Sequence, residues 1–159
     1  MSERLTYMDR RTLLATGIGS ILAAVVAGDG TPARAQASGG HDNMRVRFTF
    51  NSVTFTATLA DSPSARDFLS LLPLDLTIEN YADNEKIAYL PRKLTEAGSG
   101  PFGNEAAGDL GYYAPWGNLA FFYGGYRYSH GLIRLGRLDQ GIEPLLTRGK
   151  FPLRAEILS

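Results

Sequence analysis

The chain predicts an all-β domain closed into a barrel, with one or two capping helices. Three observations point there. Apolar and polar residues alternate with period two in short runs that recur from residue 44 to the C-terminus. Only one segment carries both a helical stripe and helix boundary residues. No cysteine is present, so an apolar core must hold the domain without disulfides. Seven or eight short strands are best closed on themselves, because closure removes exposed sheet edges.

Each element has its own justification. Met44, Val46, Phe48 and Phe50 fall on one face of a strand, with Arg45, Arg47 and Thr49 on the other. After Asn51-Ser52 the alternation resumes: Val53, Phe55, Ala57 and Leu59 against Thr54, Thr56 and Thr58. Two such runs across a two-residue turn predict a hairpin with one buried face. Ser62-Pro63 then opens a helix of about ten residues, with Ser as N-cap and Pro at the first helical position. Its stripe is Ala65, Phe68, Leu69 and Leu72, and Pro73 ends it. Leu74, Leu76 and Ile78 alternate with Asp75, Thr77 and Glu79 as a third strand. Residues 87–90 form a short strand stopped by Pro91, and 97–108 make a long Gly-rich loop. Further strands fall at 109–113 and 119–123, and a Gly124-Gly125 turn leads into 126–129. Residues 132–138 form another strand, bent or bulged at Gly136. Residues 142–146 are a short helix or turn, and 153–158 a closing strand.

Ahead of this domain, residues 1–37 read as a signal peptide. Arg10-Arg11 precedes a moderately apolar stretch from Ala15 to Ala27, and two overlapping small-x-small patterns follow, Ala33-Arg34-Ala35 and Ala35-Gln36-Ala37. The arginine pair marks the twin-arginine variant of the secretory layout. Thr16, Gly17, Gly19 and Ser20 dilute the stretch, which is shorter than the ~18–20 apolar residues a membrane span needs. Cleavage after Ala37 is expected, with Ala35 as the alternative. The mature domain then occupies 44–159 behind a flexible arm at 38–43. Its location is periplasmic or secreted, without stable membrane insertion after cleavage.

Charge and composition narrow the chemistry. Beyond the leader the chain has twelve basic and thirteen acidic residues, and no basic run longer than Arg92-Lys93. A nucleic-acid partner needs a concentrated positive surface and is therefore not expected. With no cysteine and only His41 and His130, no metal or cofactor is expected either. No phosphate loop, His-Glu-x-x-His or Gly-x-Ser-x-Gly motif occurs.

The order of elements resembles the cyclophilin-like β-barrel, in particular short bacterial cyclophilin-like proteins. The matching pieces are 46–59 as opening hairpin, 62–72 as first capping helix, Gly108-Asp109-Leu110-Gly111-Tyr112-Tyr113, Asn118-Leu119-Ala120-Phe121-Phe122-Tyr123, and 132–138. The resemblance implies a proline pocket with Phe122 at its floor and His130 in place of a pocket histidine. Cyclophilins of the isomerase type carry an arginine in a Phe-His-Arg strand. Its hydrogen bond to the prolyl nitrogen weakens the amide resonance behind a barrier of ~18–20 kcal/mol. This chain lacks that triplet, and its nearest counterpart is Arg92 in Leu90-Pro91-Arg92-Lys93-Leu94. Trp116 precedes the Phe122 strand, whereas the isomerases place their pocket tryptophan after it.

The expected function is therefore binding of a peptide or small ligand in an aromatic cleft. Phe102, Tyr113, Trp116, Phe122 and His130 are its candidate residues, within an aromatic-rich region that adds Tyr112, Tyr126 and Tyr128. The alternative is a minimal prolyl isomerase with Arg92 as its catalytic donor. Glu85, Glu105 and Asp109 read as solvated charges rather than as acid/base partners of His130. The leader has a direct test. Intact mass of the exported protein should give Ser38 as first residue, and Lys at both Arg10 and Arg11 should retain the uncleaved precursor in the cytoplasm.

Overall fold

The computed structural model describes residues 44–159. The signal peptide read over 1–37, its cleavage point and the arm at 38–43 lie outside them. Eight antiparallel strands make the domain: β1 (Arg45–Phe50), β2 (Val53–Leu59), β3 (Leu74–Tyr81), β4 (Glu85–Tyr89), β5 (Asp109–Tyr113), β6 (Asn118–Phe122), β7 (Leu132–Leu138) and β8 (Lys150–Ile157). They close in the order β1-β2-β7-β5-β6-β4-β3-β8, with β8 pairing back onto β1. This is the closed barrel that the alternation predicts. Helix α1 (Pro63–Leu69) and one 3₁₀ turn (Glu143–Leu146) are the helical elements among the described residues. None of these is long and apolar enough to cross a membrane.

The opening hairpin follows from its sequence. Asn51 and Ser52 both take positive φ, 44° and 63°, the primed turn whose twist matches that of the flanking strands. The turn sets Phe48 opposite Phe55 and Phe50 opposite Val53. Phe48 is the centre of the core. Its ring stacks on Phe55 at 5.3 Å and meets Phe121 edge-on at 5.1 Å, while Phe68 of α1 lies parallel at 6.5 Å. Ser62 caps α1 by accepting from the Ala65 amide at 3.2 Å. The helix is shorter than the predicted ten or so residues. Its last turn tightens, with Leu71 and Leu72 bonding three residues back to Phe68 and Leu69 before Pro73 stops the run.

Three further findings depart from the alternation pattern. Residues 126–129 are not a strand; Tyr126 packs face to face on Phe122, and the Tyr128 amide bonds the Glu105 carboxylate instead of a neighbouring strand. Strand β4 begins at Glu85, two residues earlier than its apolar run. Lys86 inside it is fully buried, with Nζ donating to Asn80 Oδ1 at 2.9 Å near the Phe50 and Phe151 rings. Burial, and then the charge of Arg148, hold that ammonium below the usual lysine pKa.

Gly136 is the bend that the sequence suggests. Leu110 pairs with Gly136 but Gly111 pairs with Arg134, so Leu135 is the extra residue of a β-bulge. On its other side Gly136 faces Leu59, and a Cβ there would lie 2.2 Å from the Thr58 carbonyl oxygen. The β2–β7 seam therefore closes only over a glycine. Gly136→Ala should destabilise the domain by about 1–3 kcal/mol, read as a lower urea midpoint.

Candidate functional site

The barrel's strands carry a second, smaller apolar cluster on the face opposite the core. In β6, Leu119 and Phe121 belong to the core, whereas Ala120 and Phe122 belong to the second cluster with Leu132. Cross-strand register turns this alternation into a lined surface. Tyr81, Glu85 and Phe122 form one row across β3, β4 and β6. Ile87 and Ala120 form the next, and Asn118, Tyr113 and Leu132 a third across β6, β5 and β7. These rows floor a cleft of about 340 Å³, whose rim is made by Trp116 on one side and by Tyr126, Arg127 and Ser129 on the other.

Two loops hold the rim. Trp116 sits on the β5–β6 turn, where the Gly117 amide bonds the Tyr113 carbonyl at 2.8 Å. Its indole meets Tyr81 edge-on at 5.3 Å and Tyr113 at 5.6 Å, yet it remains 46% exposed. On the far side Tyr126 stacks on Phe122 at 3.6 Å and gives its hydroxyl to Asp109 Oδ2 at 2.7 Å. Burial, and then that carboxylate, raise the Tyr126 pKa. Asp109 itself is fully buried. It accepts the Ala106 amide and is flanked by Arg134 at 3.2 Å and Arg137 at 2.9 Å, ion pairs closer than they are aligned for hydrogen bonding.

Two polar groups in the cleft stand without partners. No described side chain pairs with Glu85, and desolvation raises its carboxyl pKa to about 7. Asn118 is 2% exposed; its Nδ2 bonds the Leu119 carbonyl, but its Oδ1 has no donor. Arg127 is exposed on the rim and makes no ion pair with Glu85.

Of the five binding residues expected from sequence, Tyr113, Trp116 and Phe122 meet in this cleft. Phe102 packs against the same second cluster but lines a separate depression, edge-on to Tyr128 with the Arg134 guanidinium 4.3 Å above its ring. His130 lines a separate depression with Glu96, Pro101 and Tyr128. Arg92 is absent from the cleft lining: both its terminal nitrogens bond the Asp67 carboxylate of α1, at 2.6 and 3.1 Å. That contact, foremost, holds Asp67 below the ordinary carboxylate pKa. Tyr112 is a core residue whose hydroxyl accepts the Leu94 amide. Asp109, read from sequence as a solvated charge, is instead fully buried, because its two arginines come from the neighbouring strand β7.

Tyr81, Asn118 and the role of Glu85 are legible only through register. Glu85 keeps the phase of Ile87, opposite to buried Lys86 and Ala88, and that places it on the cleft face. The folded state favours its protonated form, so this group's contribution to stability declines as pH rises from about 4.5 to about 7. Glu85→Gln should remove that slope and leave the variant more stable than the parent at pH 8, as followed by urea unfolding across the range.

Comparison with known proteins agrees with this architecture. The model of the Cyclophilin-like family matches residues 48–156. Among solved structures, a hypothetical protein from Archaeoglobus fulgidus, determined in solution, superposes with a TM-score of 0.53 at 20% identity, covering 76% of this chain and 99% of its own. That likeness is one of fold. No curated protein matches the sequence. With its eight-stranded closed barrel matched across nearly all of its described length, the chain belongs to the Cyclophilin-like family.

Proposed function

We propose that the chain is an exported binding module, which holds a small ligand or a peptide side chain in the aromatic cleft. One observation carries this reading: Tyr113, Trp116 and Phe122, from β5, the β5–β6 turn and β6, converge on a single preformed concavity of about 340 Å³. That volume is at the lower end of small-ligand pockets, and the lining mixes apolar walls with a few polar groups, as such pockets do. The near-neutral balance of charge fits a ligand recognised locally rather than by a long-range field.

An isomerase needs a donor poised beside the bound prolyl nitrogen. Arg92 is committed to Asp67, and the arginine on the cleft rim is Arg127. The cleft without a fixed donor supports binding over catalysis.

Trp116 is the only tryptophan, so its fluorescence reports on the cleft alone. Titration of the mature domain with proline-containing tetrapeptides and with small aliphatic and aromatic fragments should give a saturable change for at least one class. Phe122→Ala should weaken that binding by about two- to tenfold, the worth of one aromatic contact. Prolyl isomerisation, assayed in parallel, should not be accelerated. Acceleration lost in Arg92→Ala or Arg127→Ala would overturn the binding reading and name the donor.

A further inference from the structure

We propose that the group seated in this cleft is a primary alkylammonium, walled by Tyr81, Tyr113 and Trp116 and countered by the Glu85 carboxylate. The inference rests on the binding-module reading and adds the chemical class of ligand.

The aromatic geometry favours a cation over a flat ring. Trp116 stands at 89° to Tyr81 and at 78° to Tyr113. Three aromatic rings lining one cavity with an unpaired carboxylate supply π surface, which attracts a compact positive charge. A planar ligand needs a free parallel slot, and the one parallel pair here, Phe122 and Tyr126, is already closed at 3.6 Å.

The polar groups agree in sign. Asp67, Asp109 and Asp139 each have an arginine within 3.2 Å, and the half-buried Glu105 accepts the Tyr128 amide. Glu85 has no such partner among the described residues, although it lies in the cleft and is desolvated there. An unpaired carboxylate in the cavity calls for a ligand that brings both positive charge and N–H groups. A primary ammonium brings three N–H donors on a single centre, whereas a quaternary one brings none. An anion would meet Glu85 directly, with only the solvent-screened Arg127 to offset it.

The ammonium can come from a lysine side chain of a peptide or from a free amine. Both have the same head and differ at the far end of the alkyl stem, where the lysine carries a peptide backbone.

The test uses the mature domain, Trp116 fluorescence and three probes of one shape: n-pentylamine, 1-pentanol and pentanoate. At pH 8 the amine should bind at least tenfold more tightly than the alcohol, and pentanoate most weakly. Lowering the pH to 5.5 should weaken the amine by about thirtyfold, since the carboxylate is then mostly protonated. The other groups facing it are Tyr81 from β3, Tyr113 from β5, and Tyr126 and Arg127 from the loop after β6. Glu85→Gln should lose both the preference for amine and its pH dependence.

Pentanoate binding as well as the amine, or amine affinity unchanged in Glu85→Gln, overturns the ammonium assignment. If the alcohol and amine bind alike, the cleft is a binding site but not a cation site. If no probe, peptide or fragment perturbs Trp116, the binding reading itself falls. With the amine bound, N-acetyl-lysine methylamide separates the sources: affinity equal to pentylamine indicates a peptide side chain, and rejection indicates a free amine.

Discussion

The buried carboxylate of Asp109 is the point on which the cleft half of the barrel depends. A fully buried negative charge is tolerable only when nearby groups replace its hydration. Here Arg134, Arg137, the Tyr126 hydroxyl and the Ala106 amide do so together. Each of these partners fixes something else in turn. Arg134 donates to the Gly103 carbonyl and covers Phe102, and Arg137 reaches the Asn104 carbonyl, so the two order the Gly-rich segment ahead of β5. Tyr126 is held against Phe122 and becomes one wall of the cleft. One charge thus connects an irregular loop, a strand pair and a wall of the cleft.

Strand β4 shows how a single register decides opposite fates for neighbouring charges. Lys86 points inward, where Asn80 and two phenylalanine faces take the place of water. Glu85 points to the cleft, where nothing does. The first arrangement contributes to the fold, while the second leaves a desolvated carboxyl that the folded domain would rather keep protonated. An isolated group of this kind makes sense at a place shaped for something other than stability.

Much of the fold was legible in the sequence because it follows local rules. The hairpin through Asn51-Ser52, the Ser62-Pro63 helix start, the Gly136 bend and the positions of the barrel strands along the chain all come from alternation and boundary residues. The candidate site was legible in part. Aromatic content pointed to Tyr113, Trp116 and Phe122, but it could not separate them from Phe102, which packs under Arg134, or from His130 in its own depression. Composition says that a residue is able to make a contact, whereas only pairing across strands says which residues share a row. Tyr81 and Asn118 are 37 residues apart in sequence and enter the same surface through β4. Residues 126–129, left without an assignment by the alternation, form no strand and set Tyr126 against Phe122.

The division of β6 into an inward set, Leu119 and Phe121, and an outward set, Asn118, Ala120 and Phe122, has a consequence for substitution. Alternate positions along one strand carry separate burdens: the inward set is held by packing, whereas the outward set is not part of the main core. Outward side chains can then be exchanged one at a time without re-solving how the chain collapses. A barrel organised in this way is a durable chassis, whose outer surface can change while its architecture stays.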